Sequence, residues 1–133
     1  MTDALSRLIG MLDDLDADVD ETIDLADEVA ASGDTALLPR LGVELDRALA
    51  ERNGYARELL GGVVAALGGT EALPTLIRAS AVDLGDDQDG LAAEIVELVQ
   101  ADPKAARGFL QPLTDDDDLS VAHRADWALR FLP

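Results

Sequence analysis

The chain is 133 residues long, with 48% hydrophobic and 3% aromatic residues and no cysteine. This length and apolar content suit one domain with a core of Leu, Ala, Val and Ile, and they exclude disulfides, thiolate metal sites and wholesale disorder. Its 28 acidic residues against 10 basic ones give a formal net charge of −18, which repels phosphate backbones and anionic bilayers, so neither nucleic acid nor membrane is an expected partner. The acidity reads either as a decoy for a basic partner or as solubility in a salty or crowded cytoplasm, with no binding role.

Apolar residues recur at helical spacing from the start. Leu5, Leu8, Ile9, Leu12 and Leu15 define a first helix with Thr2 as its cap, and the acids from Asp13 to Asp18 interrupt it. A second helix is predicted over about 17–31, with Val19, Ile23, Ala26, Val29 and Ala30 on its packing face. Ser32-Gly33-Asp34 closes it and caps the next. The spacing then predicts helices over 35–50 and 55–67, turning at Asn53-Gly54. Past Gly68-Gly69-Thr70 it predicts helices over 71–82 and about 87–101. Asp102-Pro103 opens a last pair, 103–113 and 119–132, because proline is tolerated where backbone N–H groups have no helical partner. No strand pattern persists. Met1-Thr2-Asp3 carries no signal-peptide pattern and no run approaches the ~18 apolar residues of a membrane span, so a cytoplasmic location is expected.

The helices keep a period. The stretch Leu12-Asp13-Asp14-Leu15-Asp16-Ala17-Asp18-Val19 is matched by Leu113 to Val121, and Val19 and Val121 lie 102 residues apart, three times 34. Asp34 and Asp102 are 68 residues apart, and Pro39 and Pro74 hold matching places after Gly-containing joints. A fixed period of this size marks helical hairpins that bury their apolar faces only by stacking on one another. It predicts that Leu8, Leu41, Leu76 and Leu129 are core residues.

Three stretches and one apolar series carry a family resemblance. The stretches are Ala4-Leu5-Ser6-Arg7-Leu8-Ile9, Gly33-Asp34-Thr35-Ala36-Leu37-Leu38-Pro39-Arg40-Leu41 and Gly69-Thr70-Glu71-Ala72-Leu73-Pro74-Thr75-Leu76-Ile77. The series is Val121, Ala125, Ala128, Leu129 and Leu132. On these the chain resembles the HEAT-repeat family, particularly its short bacterial members. The resemblance implies an all-α fold, a right-handed α-solenoid of about four HEAT-like hairpins with repeats near 1–33, 34–68, 69–101 and 102–133. It also implies protein binding without catalysis. The copies are unequal: the basic residue usual after the turn valine is Asp20 in one and Ala122 in another.

Motifs with chemistry are few. Asp14, Asp16, Asp18 and Asp20 alternate as calcium ligands do, but a loop started at Asp16 puts Glu21 where glycine is needed and Asp27 at the closing position. Asp87-Gln88-Asp89-Gly90 would have Gly85 as its first ligand. Both runs, and Asp115 to Asp118, read as carboxylates at helix starts, so no metal is expected. His123 is the only histidine. Ser6, Ser32, Ser80 and Ser120 sit in no nucleophile elbow, and Gly61-Gly62 and Gly68-Gly69 lack the Lys of a phosphate loop. No enzyme activity and no cofactor are expected.

Charge is segregated. Arg7, Arg40, Arg47, Arg78, Lys104 and Arg107 fall on the opening helix of a hairpin, whereas the helix over 17–31 carries only acids. Stacking would place opening helices on one face and closing helices on the other, and the resemblance to HEAT-like stacks implies that the closing helices line the concave side that more often binds partners. Arg7, Arg40, Arg47 and Arg78 are candidate partner contacts, or else they neutralise nearby acids. His123, Trp127, Arg130 and Phe131 form a second stripe on the last helix, with Trp127 read as an end cap or as an interface anchor. The expected function is a non-catalytic protein-binding module, in its narrower form an acidic inhibitor or immunity-type partner of a basic protein. The alternatives are an assembly module self-associating through the C-terminal helix and, least favoured by the charge, a HEAT-like nucleic-acid glycosylase.

Overall fold

The structure, a computed structural model, describes residues 4–14, 16–84 and 91–133. Among these it is helical throughout, with no strand. Eight α-helices follow in order: α1 (Ala4–Leu12), α2 (Val19–Ala31), α3 (Leu38–Ala50), α4 (Gly54–Gly68), α5 (Leu73–Ala81), α6 (Ala92–Ala101), α7 (Pro103–Leu110) and α8 (Leu119–Leu129). Short 3-10 turns, Thr35–Leu37, Gly69–Ala72 and Gln111–Asp115, lead into α3 and α5 and follow α7.

Side chains named by the sequence fix the helix starts. The Asp18 carboxylate accepts the N–H groups of Asp20 and Glu21 at 2.9 and 3.3 Å, and that of Asp118 accepts Ser120 N–H at 2.9 Å. Asn53 and Asp102 cap α4 and α7 by accepting the N–H of Ala56 and Ala105 at 3.0 and 3.2 Å. Each bond satisfies a donor that has no partner within its helix. Pro39 and Pro74 both sit in the first turn, where a missing N–H costs nothing. The cap proposed at Thr2 and the run Asp87–Gly90 lie outside the described residues.

Helix ends follow equally local causes. Gly33 and Gly69 take φ of +66° and +60°, a conformation glycine adopts without steric cost. The chain leaves α3 through Arg52 at φ +58°, with Asn53 N–H donating to Ala48 C=O at 2.8 Å and Arg52 N–H to Leu49 C=O at 3.1 Å. This is the paired-bond helix stop usually built on glycine. The last pair differs from the expected spans. α7 tightens into a 3-10 turn at Gln111 rather than continuing to Leu113, since Pro112 cannot donate to the α-helical ladder. α8 likewise loosens after Leu129.

The core is aliphatic. Leu5, Leu8, Leu41, Leu45, Leu60, Leu73, Leu76, Ile77, Ile95 and Leu110 are buried, and burial of each contributes about 1.5–3 kcal/mol. Of the expected core residues Leu8, Leu41 and Leu76 are buried, while Leu129 is only half-buried at the end of α8. Trp127, Phe109 and Phe131 pack only on the periphery.

One packing face is corrected. Val19 and Ile23 are 56% and 41% exposed, and α2 buries Thr22, Leu25, Ala26 and Val29 instead. Thr22 can enter the core because its hydroxyl donates to Asp18 C=O at 2.8 Å, so no polar atom is stranded. The helical run Gly54–Ala81 is long and apolar enough to cross a membrane by length and composition alone. Gly69 breaks that run into α4 and α5, and 56% of its most apolar window is buried within the fold.

Consecutive helices pack as pairs, α1 on α2 and α3 on α4 most extensively. Helices two apart also touch: α2, α4, α6 and α8 in succession, and α3, α5 and α7 in succession. α4 is the hub, packed against α2, α3, α5 and α6. At the C-terminal end α5 packs more closely on α8 than on α6.

Candidate functional site

The arginines tie successive helix pairs together. On α3, Arg47 reaches Asp13 at 3.0 Å, Glu44 at 2.9 Å and Glu51 at 3.6 Å. Hydrogen bonds to Asp13 and then Glu44 raise its pKa further above its ordinary high value, so it stays cationic at any working pH. Arg78 on α5 meets Asp116 at 3.3 Å, ahead of α8. Arg47 and Arg78 thus serve as intramolecular contacts. Arg7 and Arg40 lie on α1 and α3 with solvent-exposed side chains.

Two arginines that sequence reading did not single out for a site hold the chain beyond α5. Arg52 donates to Asp83 C=O at 3.1 Å, and the buried Arg57 donates to Val82 C=O at 3.0 Å. Glu58 lies 3.7 Å from Arg57 and accepts Leu91 N–H at 3.1 Å. A guanidinium can be buried this way because a carbonyl and a carboxylate meet it. The only sequence signal was an Arg-Glu pair inside an otherwise apolar helix.

The C-terminal end is built around Trp127. Arg124 lies 3.8 Å over its ring and Phe131 meets it edge-on at 5.0 Å. Arg124 also donates to Ser80 Oγ at 3.0 Å, and Ser80 in turn donates to Ile77 C=O at 3.1 Å. Trp127 is half-buried against the core, while His123 and Arg130 on the same helix are exposed. This geometry suits an end cap.

A different feature is open to a partner. Between α2 and α4 runs a groove of about 430 Å³, lined by Ile23, Ala26, Asp27 and Ala30 from α2 and by Tyr55, Glu58, Leu59, Gly62, Val63 and Ala66 from α4. Ala26 and Val63 form its buried floor, while Ile23 and Tyr55 stand about 40% exposed on its walls. Glycine and alanine at Gly62, Ala30 and Ala66 keep it from being filled. A Cβ placed on Gly62 would meet nothing within 4 Å.

The electrostatics of the groove have one sign. Its charged lining residues are Asp27 and Glu58, and α2 adds Asp20, Glu21, Asp24 and Glu28, all exposed. The one basic residue of α4, Arg57, is buried toward the Val82 carbonyl. Two sequence signals pointed here. Residues 59–67 are apolar or glycine on every side, more faces than one packing partner covers, and α2 carries no cation. Taking Val19 and Ile23 as core concealed the groove.

Among the described residues no group of three or more Asp, Glu or His is placed to hold a metal ion. Asp14 accepts Asp16 N–H at 2.9 Å, Asp18 caps α2, and Ser32 donates to Val29 C=O at 2.6 Å. Comparison with protein-family models, with curated proteins and with solved structures finds no match to this chain.

Proposed function

We propose that this chain is a non-catalytic protein-binding module. Its helix pairs read as a right-handed α-solenoid of about four HEAT-like hairpins, with α2, α4, α6 and α8 as closing helices. Contacts between helices two apart support that reading, as does the 34-residue separation of Arg47 and Asp13. The packing of α5 on α8 joins neighbouring hairpins and is closer than that of α5 on its own partner α6.

The observation that carries the function is the α2–α4 groove. Apolar side chains stand exposed there beside buried ones, and covering such surface gains about 25 cal/mol per Å². A cytoplasmic inhibitor or immunity-type role against a basic protein is the narrower form of the proposal, resting on the net charge of −18. The assembly alternative loses ground because Trp127 is already engaged by Arg124 and Phe131.

The test is affinity capture from a lysate of the source cells with wild type and with Gly62→Phe, which projects a ring into the groove. A protein retained by wild type and lost with Gly62→Phe is the expected result. Identical captured sets, with both proteins folded by circular dichroism, would overturn the groove as the binding surface.

A further inference from the structure

The groove also carries the chemistry of its occupant. We infer that it receives a cationic amphipathic helix of a partner protein, an inference that rests on the protein-binding reading above. Length comes first. α2 has 13 residues, about 20 Å at 1.5 Å per residue, so an occupant lying along it is a helix of three to four turns. Apolar side chains at helical spacing on such a segment would meet Ile23, Tyr55 and Leu59, with Gly62 giving its backbone the closest approach.

Charge decides the sign. Asp27 lines the groove beside Glu58, which Arg57 already pairs, and every charged residue of α2 is acidic, so a flanking row of Lys or Arg on the occupant is attracted. The same acids disfavour a second copy of this chain, because pairing two such grooves would bring like charges together in a molecule of net charge −18. Anionic peptides and phosphate-bearing ligands are repelled for the same reason.

The probe is a fluorescein-labelled Leu/Lys peptide of roughly 18 residues, long enough to be helical, with Leu at helical spacing on one face. Its comparators are a sequence-scrambled isomer of equal charge and a Leu/Glu version, all read by anisotropy. Wild type is expected to bind the Leu/Lys helix at least tenfold more tightly than the scrambled isomer and not to bind the Leu/Glu helix, with affinity falling as salt rises. Gly62→Phe should weaken the Leu/Lys helix more than tenfold. Ile23→Lys, a change at a partly exposed position, should do the same by repulsion, while Gly108→Phe on α7 should bind as wild type does.

Equal binding of the scrambled isomer, or indifference to both Gly62→Phe and Ile23→Lys, would reduce the attraction to net charge and overturn the inference. Failure of the Leu/Lys helix to bind would overturn it too. A dimer by light scattering that Gly62→Phe converts to monomer would assign the groove to a second copy instead. If lysate capture still depends on Gly62 while the peptide does not bind, the cationic-helix chemistry is wrong and the protein-binding reading stands. If capture is indifferent to Gly62, that reading falls with it.

Discussion

Gly61 and Leu91 occupy the same space from opposite sides. A Cβ on Gly61 would lie 2.5 Å from Leu91 Cδ2, and Leu91, 2% exposed, covers α4 at that point. Leu91 does so from a left-handed backbone at φ +61°, a conformation costing a non-glycine residue about 1–2 kcal/mol. Burial of its side chain and the Glu58 bond to its N–H offset that cost.

Adjacent glycines should therefore behave oppositely. Gly61→Ala forces Leu91 to repack and should destabilise by about 1–3 kcal/mol. Gly62→Ala opens into the empty groove and should stabilise by up to about 1 kcal/mol through helix propensity. Urea denaturation of both variants checks this, and equal effects would mean that Leu91 does not pack on Gly61. Shortening Leu91 to Val should recover part of the loss in Gly61→Ala, seen as a non-additive double-mutant cycle.

Arg52 joins an unfavourable backbone to a favourable contact. Arg52→Ala loses the bond to Asp83 C=O and keeps the left-handed φ, whereas Arg52→Gly loses the same bond and relieves the backbone. The glycine variant should be the more stable of the two by about 1 kcal/mol. An alanine variant as stable as glycine would place the α3 stop elsewhere.

Core substitutions should rank by depth in the stack. Leu41→Ala and Leu76→Ala should each cost about 2–5 kcal/mol, and Leu129→Ala, half-buried at the end, should cost less. Thermal or urea unfolding measures the order. A reversal would contradict the helix register.

Moderate NaCl should raise the melting temperature. Acids exposed along α2 repel one another, and screening with a length of about 10 Å at 0.1 M removes much of that repulsion. Pairs such as Arg47–Asp13 and Arg78–Asp116 are partly exposed and lose little when screened. A falling curve between low and moderate salt would show that these pairs outweigh the repulsion.

Charge reversal separates the opening-helix arginines from the groove. Arg7→Glu and Arg40→Glu together should leave binding of the cationic helix within about twofold, since steering by distant charges is screened. Trp127→Ala should lower stability while leaving that binding intact. A loss above about tenfold from the arginine pair would move the contact to α1 and α3.

Helix positions, caps and most of the core were legible in the sequence because their causes are local. Asp18, Asn53, Asp102 and Asp118 satisfy donors within three residues of themselves, and Leu8, Leu41 and Leu76 recur on the inner side of their helices whatever the neighbours are. The net charge of −18 was equally plain. Tertiary structure alone decided which side of α2 is buried, because hydrophobicity favours Ile23 as much as Leu25 and only packing against α1 and α4 chooses between them. It decided too that Arg47 and Arg78 are spent within the chain, since Asp13 and Asp116 lie 34 and 38 residues away. Gly61 and Gly62 are identical to a reader of sequence; one faces Leu91 and the other faces an open groove because they point to different sides of the same helix.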